Sequence, residues 1–373
     1  MLIFIDGFPF YYLDKAPQMS QFEGKARLIP GFGYSINCQL ELFTGLQPDE
    51  VGYFGDWTYA PERSPFRRAK ILLRLLNPVG RVYYLDRLLH KALGKITRIE
   101  VKNIPFSYLP MMAPNSGDIF KREISVDLFH GAATFFWPDF LHLKWGKRDA
   151  ATFIAAMDAI EADGKVVLTF TELDHIAHAC GVGSPEFDHH VEHIDSWVSD
   201  LKEEFLKRYP DGVVIVVSDH GMVNVNKRVH IKLESVLGTP GKRPYAYFLD
   251  GTILRVWTFD ARIRARCKEY LNSLEVGVIL TSDERKRWGV SSPTFGDIIF
   301  VANEGVMFVP SFWGRKLSRA MHGYLPDLAS QHGIFLCSQP LKDDMFTANQ
   351  VYRELAKLLG KDVGGYERNR NRS

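Results

Sequence analysis

The feature that most constrains this chain is a set of short aliphatic and aromatic runs: LIFI at 2–5, AATFFW at 132–137, VVLTF at 166–170 and VVIVV at 213–217. A run of apolar residues without polar alternation marks a strand buried on both faces, and such strands belong to parallel sheets covered by helices on each side. The segments between them supply the helices. Ser184-Pro185 pairs an N-cap residue with proline at the first helical position. After it, Phe187, Val191, Ile194, Val198, Leu201 and Phe205 step by three and four, which turns one helix face inward. A second helical stretch, 149–161, ends near Gly164 and leads into VVLTF. The rhythm is βαβ, and the expected fold class is α/β with a largely parallel sheet.

Two segments break this rhythm. Residues 61–130 are basic, leucine-rich and punctuated by proline, and read as a cap-like insertion. Residues 241–310 hold a strand-like run at 245–257, a helix opened by Asp260 and a strand at 297–301, and read as a small α+β insertion. The expected core is therefore discontinuous, comprising 1–60, 131–240 and 311–365. The polar tail, 366–373, carries no periodic apolar residues and is expected to be disordered.

At 46% hydrophobic and 24% charged residues over 373 positions, the composition supports a sizeable core and excludes disordered and collagen-like classes. Four scattered cysteines exclude a disulfide framework or a thiolate metal site. No stretch approaches the roughly 18 apolar residues that cross a bilayer. Met1 runs straight into Leu2–Ile5 without a charged leader, so the expected location is cytoplasmic, with membrane-peripheral as its variant. The net charge of +2 conceals an asymmetry: residues 62–102 hold 11 Lys/Arg against 3 Asp/Glu, or +8, which leaves −6 elsewhere. Within that segment Arg67, Arg68, Lys70 and Arg74 interleave with Ile71-Leu72-Leu73 and Leu75-Leu76, and the pattern continues from Arg81 to Lys95. Three readings stand: a surface lying on anionic lipid, a cap holding a polyanionic substrate, and a solvated helix pair. No recognised nucleic-acid module is present, so no nucleic-acid partner is expected.

In open α/β sheets functional groups gather at the carboxyl ends of the strands. Here those ends share one chemistry. The first run ends in Asp6, the third in Glu172-Leu173-Asp174 with His178 following, and the fourth in Asp219-His220-Gly221; His322 follows near the C-terminus. Carboxylate oxygens mixed with imidazole nitrogens suit zinc or manganese, and they are too many for one tetrahedral site. Two metals are the natural count. Each piece has a plainer reading: Asp6-Gly7 as a turn, Asp174 and His178 as a surface i,i+4 pair, and His332 as a competitor for His322. Their coincidence at successive strand ends favours the metal reading. His189 and His193 project to solvent from the apolar stripe of their helix, while His190 flanks its buried face. Ser35 follows the glycine-rich Pro30-Gly31-Phe32-Gly33 turn and opens a short helix ending at Gly45, where backbone N–H groups attract an anion such as phosphate. On this segment alone Ser35 reads as an N-cap.

These motifs, IFIDGFPFYYL, SINCQLELFTGLQP, FFWP at 135–138, TELDHIAH, VVSDHGM and MHGY, together resemble the alkaline phosphatase superfamily, and within it the type I phosphodiesterase/nucleotide pyrophosphatase family. The resemblance implies an alkaline phosphatase-like three-layer sandwich. It implies one zinc held by Asp6, Asp219 and His220 with the nucleophile Ser35 touching it, and a second held by Asp174, His178 and His322. Three departures stand out. The nucleophile is serine where threonine is common, Asp56 stands where the family's asparagine contacts a phosphate oxygen, and Val51-Gly52 replaces a His-Gly pair.

The expected activity is a two-metal phosphodiesterase or nucleotide pyrophosphatase working through a phosphoserine intermediate. Its substrate is a small-molecule or lipid-linked phosphate ester. A phosphomonoesterase on the same core is the enzymatic alternative, and a sulfatase lacks its oxidised-residue motif at Ser35. A non-catalytic metal-binding protein at a membrane surface is the alternative of another class.

Overall fold

The computed structural model describes residues 1–76, 83–99, 101, 103–115, 129, 131–135, 139, 142–162, 164–314 and 317–359. The chain divides into two compact units, one of Met1–Gln47, Asp118–Asn224 and Ser318–Ser373, the other of Pro48–Gly117 and Val225–Leu317.

The first unit is built on a seven-stranded sheet of β1 (Leu2–Ile5), β2 (Gly24–Ile29), β3 (Ala133–Phe135), β4 (Val166–Phe170), β5 (Ile215–Val217), β6 (Gly333–Cys337) and β7 (Met345–Thr347), in the order β7-β2-β6-β5-β1-β4-β3. β1 lies between β4 and β5 and runs parallel to both. The β3–β4 and β7–β2 pairs are also parallel, whereas β6 is antiparallel to both its neighbours. The unbroken apolar runs are buried along β1, β4 and β5, as strands at the centre of a covered sheet must be. The run at 213–217 is strand only over its last three residues. Of the run at 132–137 the structure shows 133–135 as strand; 136–138 and the tail 366–373 lie outside the described residues.

Among the described residues five helices flank this sheet: α1 (Ser35–Thr44), α2 (Arg148–Ala162), α3 (Glu172–Cys180), α4 (Pro185–Arg208) and α5 (Ala348–Leu358). The period-2 alternation of β1 divides them into two layers. Ile3 and Ile5 join a core with Ala156 and Ile160 of α2 and with all six stripe residues of α4. Phe4 points the other way, its ring 5.4 Å from that of Phe43 on α1. Beside α1, Tyr352 of α5 packs so closely on Gly45 that an added Cβ would lie 2.5 Å from its ring. The result is the three-layer α/β sandwich expected. α4 starts where the sequence placed it, with the Ser184 hydroxyl accepting from the Phe187 N–H at 3.2 Å and Pro185 at the first helical position.

The second unit has an antiparallel sheet of Tyr245–Asp250, Ile253–Thr258, Ile298–Ala302 and Gly277–Ile279, in that order. The run expected as one strand at 245–257 is thus a hairpin that turns at Gly251-Thr252. The helix Ala261–Ser273 follows, with the Asp260 carboxylate accepting from the Ile263 N–H at 2.9 Å. The basic stretch contributes the helices Lys70–Leu76 and Tyr83–Thr97 to the same unit. Arg255, almost fully buried, ties early and late segments together by donating to the carbonyls of Phe54 at 2.6 Å and Trp57 at 2.7 Å.

Candidate metal centre

The register of the sheet assembles the site. Ile5 stands opposite Phe170 and Phe4 opposite Val217, so the residues that follow, Asp6, Thr171 onward and Ser218-Asp219-His220, emerge together at the carboxyl ends of adjacent strands. The Asp6 N–H closes the β1–β4 ladder on the Phe170 carbonyl at 2.8 Å. Gly7 then turns with φ of +73°, and a Cβ there would lie 3.1 Å from that of Asp174, so glycine is needed for the two strand ends to approach.

Two groups of three ligand-bearing side chains result, each with its ligating atoms within 4.8 Å of one another. The first is Asp6, Asp219 and His220. His220 Nε2 stands 3.5 Å from Asp6 Oδ1 and 3.7 Å from Asp219 Oδ2. Ser35, the first residue of α1, brings its hydroxyl to 3.0 Å from the same Nε2. The N-cap of α1 is Tyr34, in extended conformation, so Ser35 is not a capping side chain. Gly33 before it holds φ of +130°, and a Cβ there would clash with Asn37 Oδ1 at 2.7 Å, which fixes this turn to glycine. The second group is Asp174, His178 and His322. Asp174 and His178, one turn apart on α3, approach to 3.4 Å, and His322 Nε2 lies 3.7 Å from Asp174 Oδ1. The His220 and His322 rings stack at 3.8 Å and 9°, which joins the groups into one centre. The site has no place for His332, whose backbone carbonyl accepts from the Phe10 N–H instead.

The second ring nitrogens explain why these imidazoles present Nε2. Nδ1 of His220 bonds the Gly221 carbonyl at 2.9 Å, and Nδ1 of His178 bonds the Ala320 carbonyl at 2.8 Å. That arrangement puts the proton on Nδ1 and the lone pair on Nε2, the tautomer a metal requires. Asp219 is held by the Gln39 amide at 3.1 Å and the Gly7 N–H at 3.3 Å. Gln39 lies one helical turn after Ser35 on α1; that spacing was visible in the sequence, although Gln39 was not singled out there.

Burial first, and the neighbouring Asp219 carboxylate second, lift the Asp6 pKa to about 6. Burial likewise raises Asp174 and Asp219. It works against the charged form of His220, but Asp219, Asp6 and Asp174 outweigh it and push that imidazole up to about 10. His322 goes the other way, lowered by burial and then by His220 and His178. Asp6 Oδ1 and Asp174 Oδ1 are buried without a hydrogen-bond donor. A buried carboxylate, Asp219, two half-buried ones, Asp6 and Asp174, each with an orphaned oxygen, and imidazoles turned to present Nε2 fit divalent cations.

A third group, Asp149, Glu172 and His190, has similar spacing but another purpose. Asp149 accepts from the N–H groups of Thr171 at 2.8 Å and Glu172 at 3.1 Å, at the start of α3. Glu172 reciprocates at the start of α2, accepting from the N–H groups of Gly146 and Asp149. His190 closes on Asp149 at 2.9 Å. These oxygens serve helix ends, so Glu172 leaves the metal-side carboxylates with which its position in the sequence grouped it. His189 and His193 are exposed, as expected, and touch each other at 3.1 Å. Asp56 belongs to the other unit, where its carboxylate accepts from the Tyr53 hydroxyl at 2.7 Å.

A sequence model of the type I phosphodiesterase/nucleotide pyrophosphatase family matches residues 1–325. No curated protein has a sequence that matches. Among solved structures, murine ectonucleotide pyrophosphatase/phosphodiesterase 5, in an inactive variant bound to AMP, is similar with a TM-score of 0.63 at 17% identity, covering 97% of this chain and 95% of that one. The human protein of the same name gives 0.62 at 16% identity, covering 97% and 94%. At these identities the likeness is one of fold.

Proposed function

The chain belongs to the type I phosphodiesterase/nucleotide pyrophosphatase family and is a hydrolase of phosphodiester or phosphoanhydride bonds, and from that premise we propose that it works with two divalent cations through a covalent phosphoserine at Ser35. The observation that carries this reading is the Ser35 hydroxyl 3.0 Å from His220, beside the Asp6 Oδ1 that lacks a donor. Asp6, Asp219 and His220 would hold one cation, with Ser35 beside it, and Asp174, His178 and His322 the other; zinc suits this mixture of donors best, and manganese is the second choice. When bound, such ions lower the pKa of a hydroxyl or water and neutralise phosphoryl oxygens.

The chain's own groups do the rest. Ser35 Oγ attacks phosphorus in line and expels the leaving alcohol or phosphate, and water then cleaves the phosphoserine ester. The Ser35 and Ile36 N–H groups, in the first turn of α1, have no acceptor within the helix and would be available to a phosphoryl oxygen. His220, its Nδ1 committed to the Gly221 carbonyl, would turn its Nε2 lone pair to the cation beside which the Ser35 hydroxyl stands. Gln39 and Gly7 keep Asp219 aimed at the centre. For Asp56 we propose a substrate contact, with the Tyr53 hydroxyl moderating the repulsion between its carboxylate and a phosphate.

Turnover of a nitrophenyl phosphodiester by zinc-loaded protein tests the proposal. Ser35→Ala should lower kcat by at least ~10³-fold while zinc content stays at two per chain; undiminished turnover would remove the covalent route. In the same assay Asp56→Asn should lower KM severalfold, and an unchanged KM would take Asp56 out of the substrate site. A faster rate on the monoester than on the diester would make the enzyme a phosphomonoesterase instead.

A further inference from the structure

The helix Tyr83–Thr97 is turned the opposite way from an ordinary surface helix. Its inward side carries Asp86, which is buried, and His90, which bonds the Ile104 carbonyl at 2.8 Å and stacks on Phe106 at 4.4 Å. Its outward side carries the apolar residues: Leu85, Leu88, Ala92 and Ile96 step by three and four into one stripe. Arg87, Lys91 and Lys95, spaced by four, form a basic stripe next to it. The preceding helix, Lys70–Leu76, shows the same inversion, burying Leu73 and exposing Ile71, Leu72 and Leu75 between Lys70 and Arg74. The exposed apolar side chains of the two helices range from 48% accessible at Leu85 to 80% at Ile96. Isolated exposed leucines need no explanation, but two apolar stripes combined with a buried Asp–His pair do.

We propose that the outer face of these two helices docks on the surface of an anionic phospholipid bilayer, with the leucines and isoleucines entering the interface and the lysines and arginines on headgroup phosphates. An apolar stripe bordered by a basic one is the arrangement of helices that lie in a membrane plane, where long cationic side chains reach from the apolar boundary to the phosphates. Beside the basic stripe lies a hollow of about 530 Å3 lined by His90, Lys91, Gly94, Lys95, Arg98 and Val101, wide enough for a headgroup. Charge separates this occupant from the others. The segment 62–102 sums to +8, so a second copy of the chain seated on the same face would set like charges against each other. A soluble polyanion would use the cations but leave the leucines in water.

Flotation of the full-length protein with vesicles of phosphatidylcholine, alone or mixed with phosphatidylglycerol, tests this. Binding should be at least ~10-fold tighter to the anionic vesicles and should weaken in high salt. Leu72→Asp with Leu88→Asp should abolish it. Lys91→Glu with Lys95→Glu should weaken binding to anionic vesicles by ~5-fold or more per charge and narrow the preference for them over neutral vesicles. All four substitutions lie on the exposed face, so turnover of a soluble nitrophenyl substrate should stay at the wild-type rate and show that the variants are folded. Equal binding to both vesicle types, no binding at all, or binding that survives both double variants overturns the proposal. So does sedimentation showing a dimer that the leucine variants split, because the face would then be a subunit interface.

Discussion

Asp219 is buried, and Asp6 and Asp174 half-buried, where a carboxylate is costly, and metal-free protein should show that cost. The sign follows from Asp6, whose folded pKa of about 6 exceeds its ordinary 3.8. The folded state binds this proton more tightly than the unfolded one, so the contribution to stability is present below about 4 and lost as pH rises through about 6. Asp174 and Asp219 are raised too and act with the same sign. His220, pushed up to about 10, stays charged in both states over that window and loses its own contribution only above about 6.5. With chelator present, Asp6→Asn should therefore be more stable than wild type at pH 7 by about 1–3 kcal/mol, with the advantage vanishing near pH 4. With zinc present the order should reverse. Thermal unfolding with and without chelator checks both, and a chelated variant no more stable than wild type would sink the argument. The three candidate carboxylates were legible in the sequence because each follows an aliphatic run that delivers it to a strand end. The contact between Ser35 and His220 was not, since 185 residues separate them and only the sheet order brings them together.

At the scale of elements, α3 carries both Asp174 and His178, so whatever fixes its first turn also fixes two of the three residues of the second candidate group. Sequence reasoning grouped Glu172 with Asp174 because both follow the strand. Residues two apart on a helix point about 200° from each other, however, and only one of them can face the metal. Glu172 turns instead to the N-terminus of α2, while Asp149 of α2 caps α3 in return. This exchange of caps makes Asp149 a positioning residue for the metal site. Asp149→Ala should cost about 2 kcal/mol through the lost cap and the unpaired His190. It should also weaken zinc binding at one of two sites by ~10-fold or more, in the manner of a lost supporting hydrogen bond. Zinc titration followed by calorimetry separates the effects: lower stability with both affinities intact would mean that the caps serve folding alone. Elsewhere local signals were sufficient, as at Ser184-Pro185 and Asp260. They misled at 245–257, where aliphatic continuity hid the Gly251-Thr252 turn of a hairpin.

Across the whole molecule, residues 61–117 of the first segment that breaks the βαβ rhythm fall in one compact unit with the second segment, 241–310, although more than a hundred residues separate them. Nothing local in the sequence announces this, because one of the ties is a cationic side chain in a strand of apolar neighbours. Arg255 is enclosed by the rings of Phe54, Phe248 and Trp257, with its guanidinium 5.2–5.6 Å from their centroids. It reaches back to the carbonyls of Phe54 and Trp57, and a Cβ at Gly55 would sit 3.1 Å from its Nη2, so the loop is shaped to the fork. A lysine cannot reproduce two divergent donors on a planar group. Arg255→Met should therefore lower the stability of this unit by about 2–4 kcal/mol, and Arg255→Lys should recover less than half of that. Every proposed metal ligand belongs to the other unit, so zinc content should stay at that of wild type in both variants. Calorimetry with metal analysis reads the two quantities together. Full recovery by lysine would show that the charge matters rather than the fork, and loss of zinc would show that Arg255 supports the metal centre as well as its own unit.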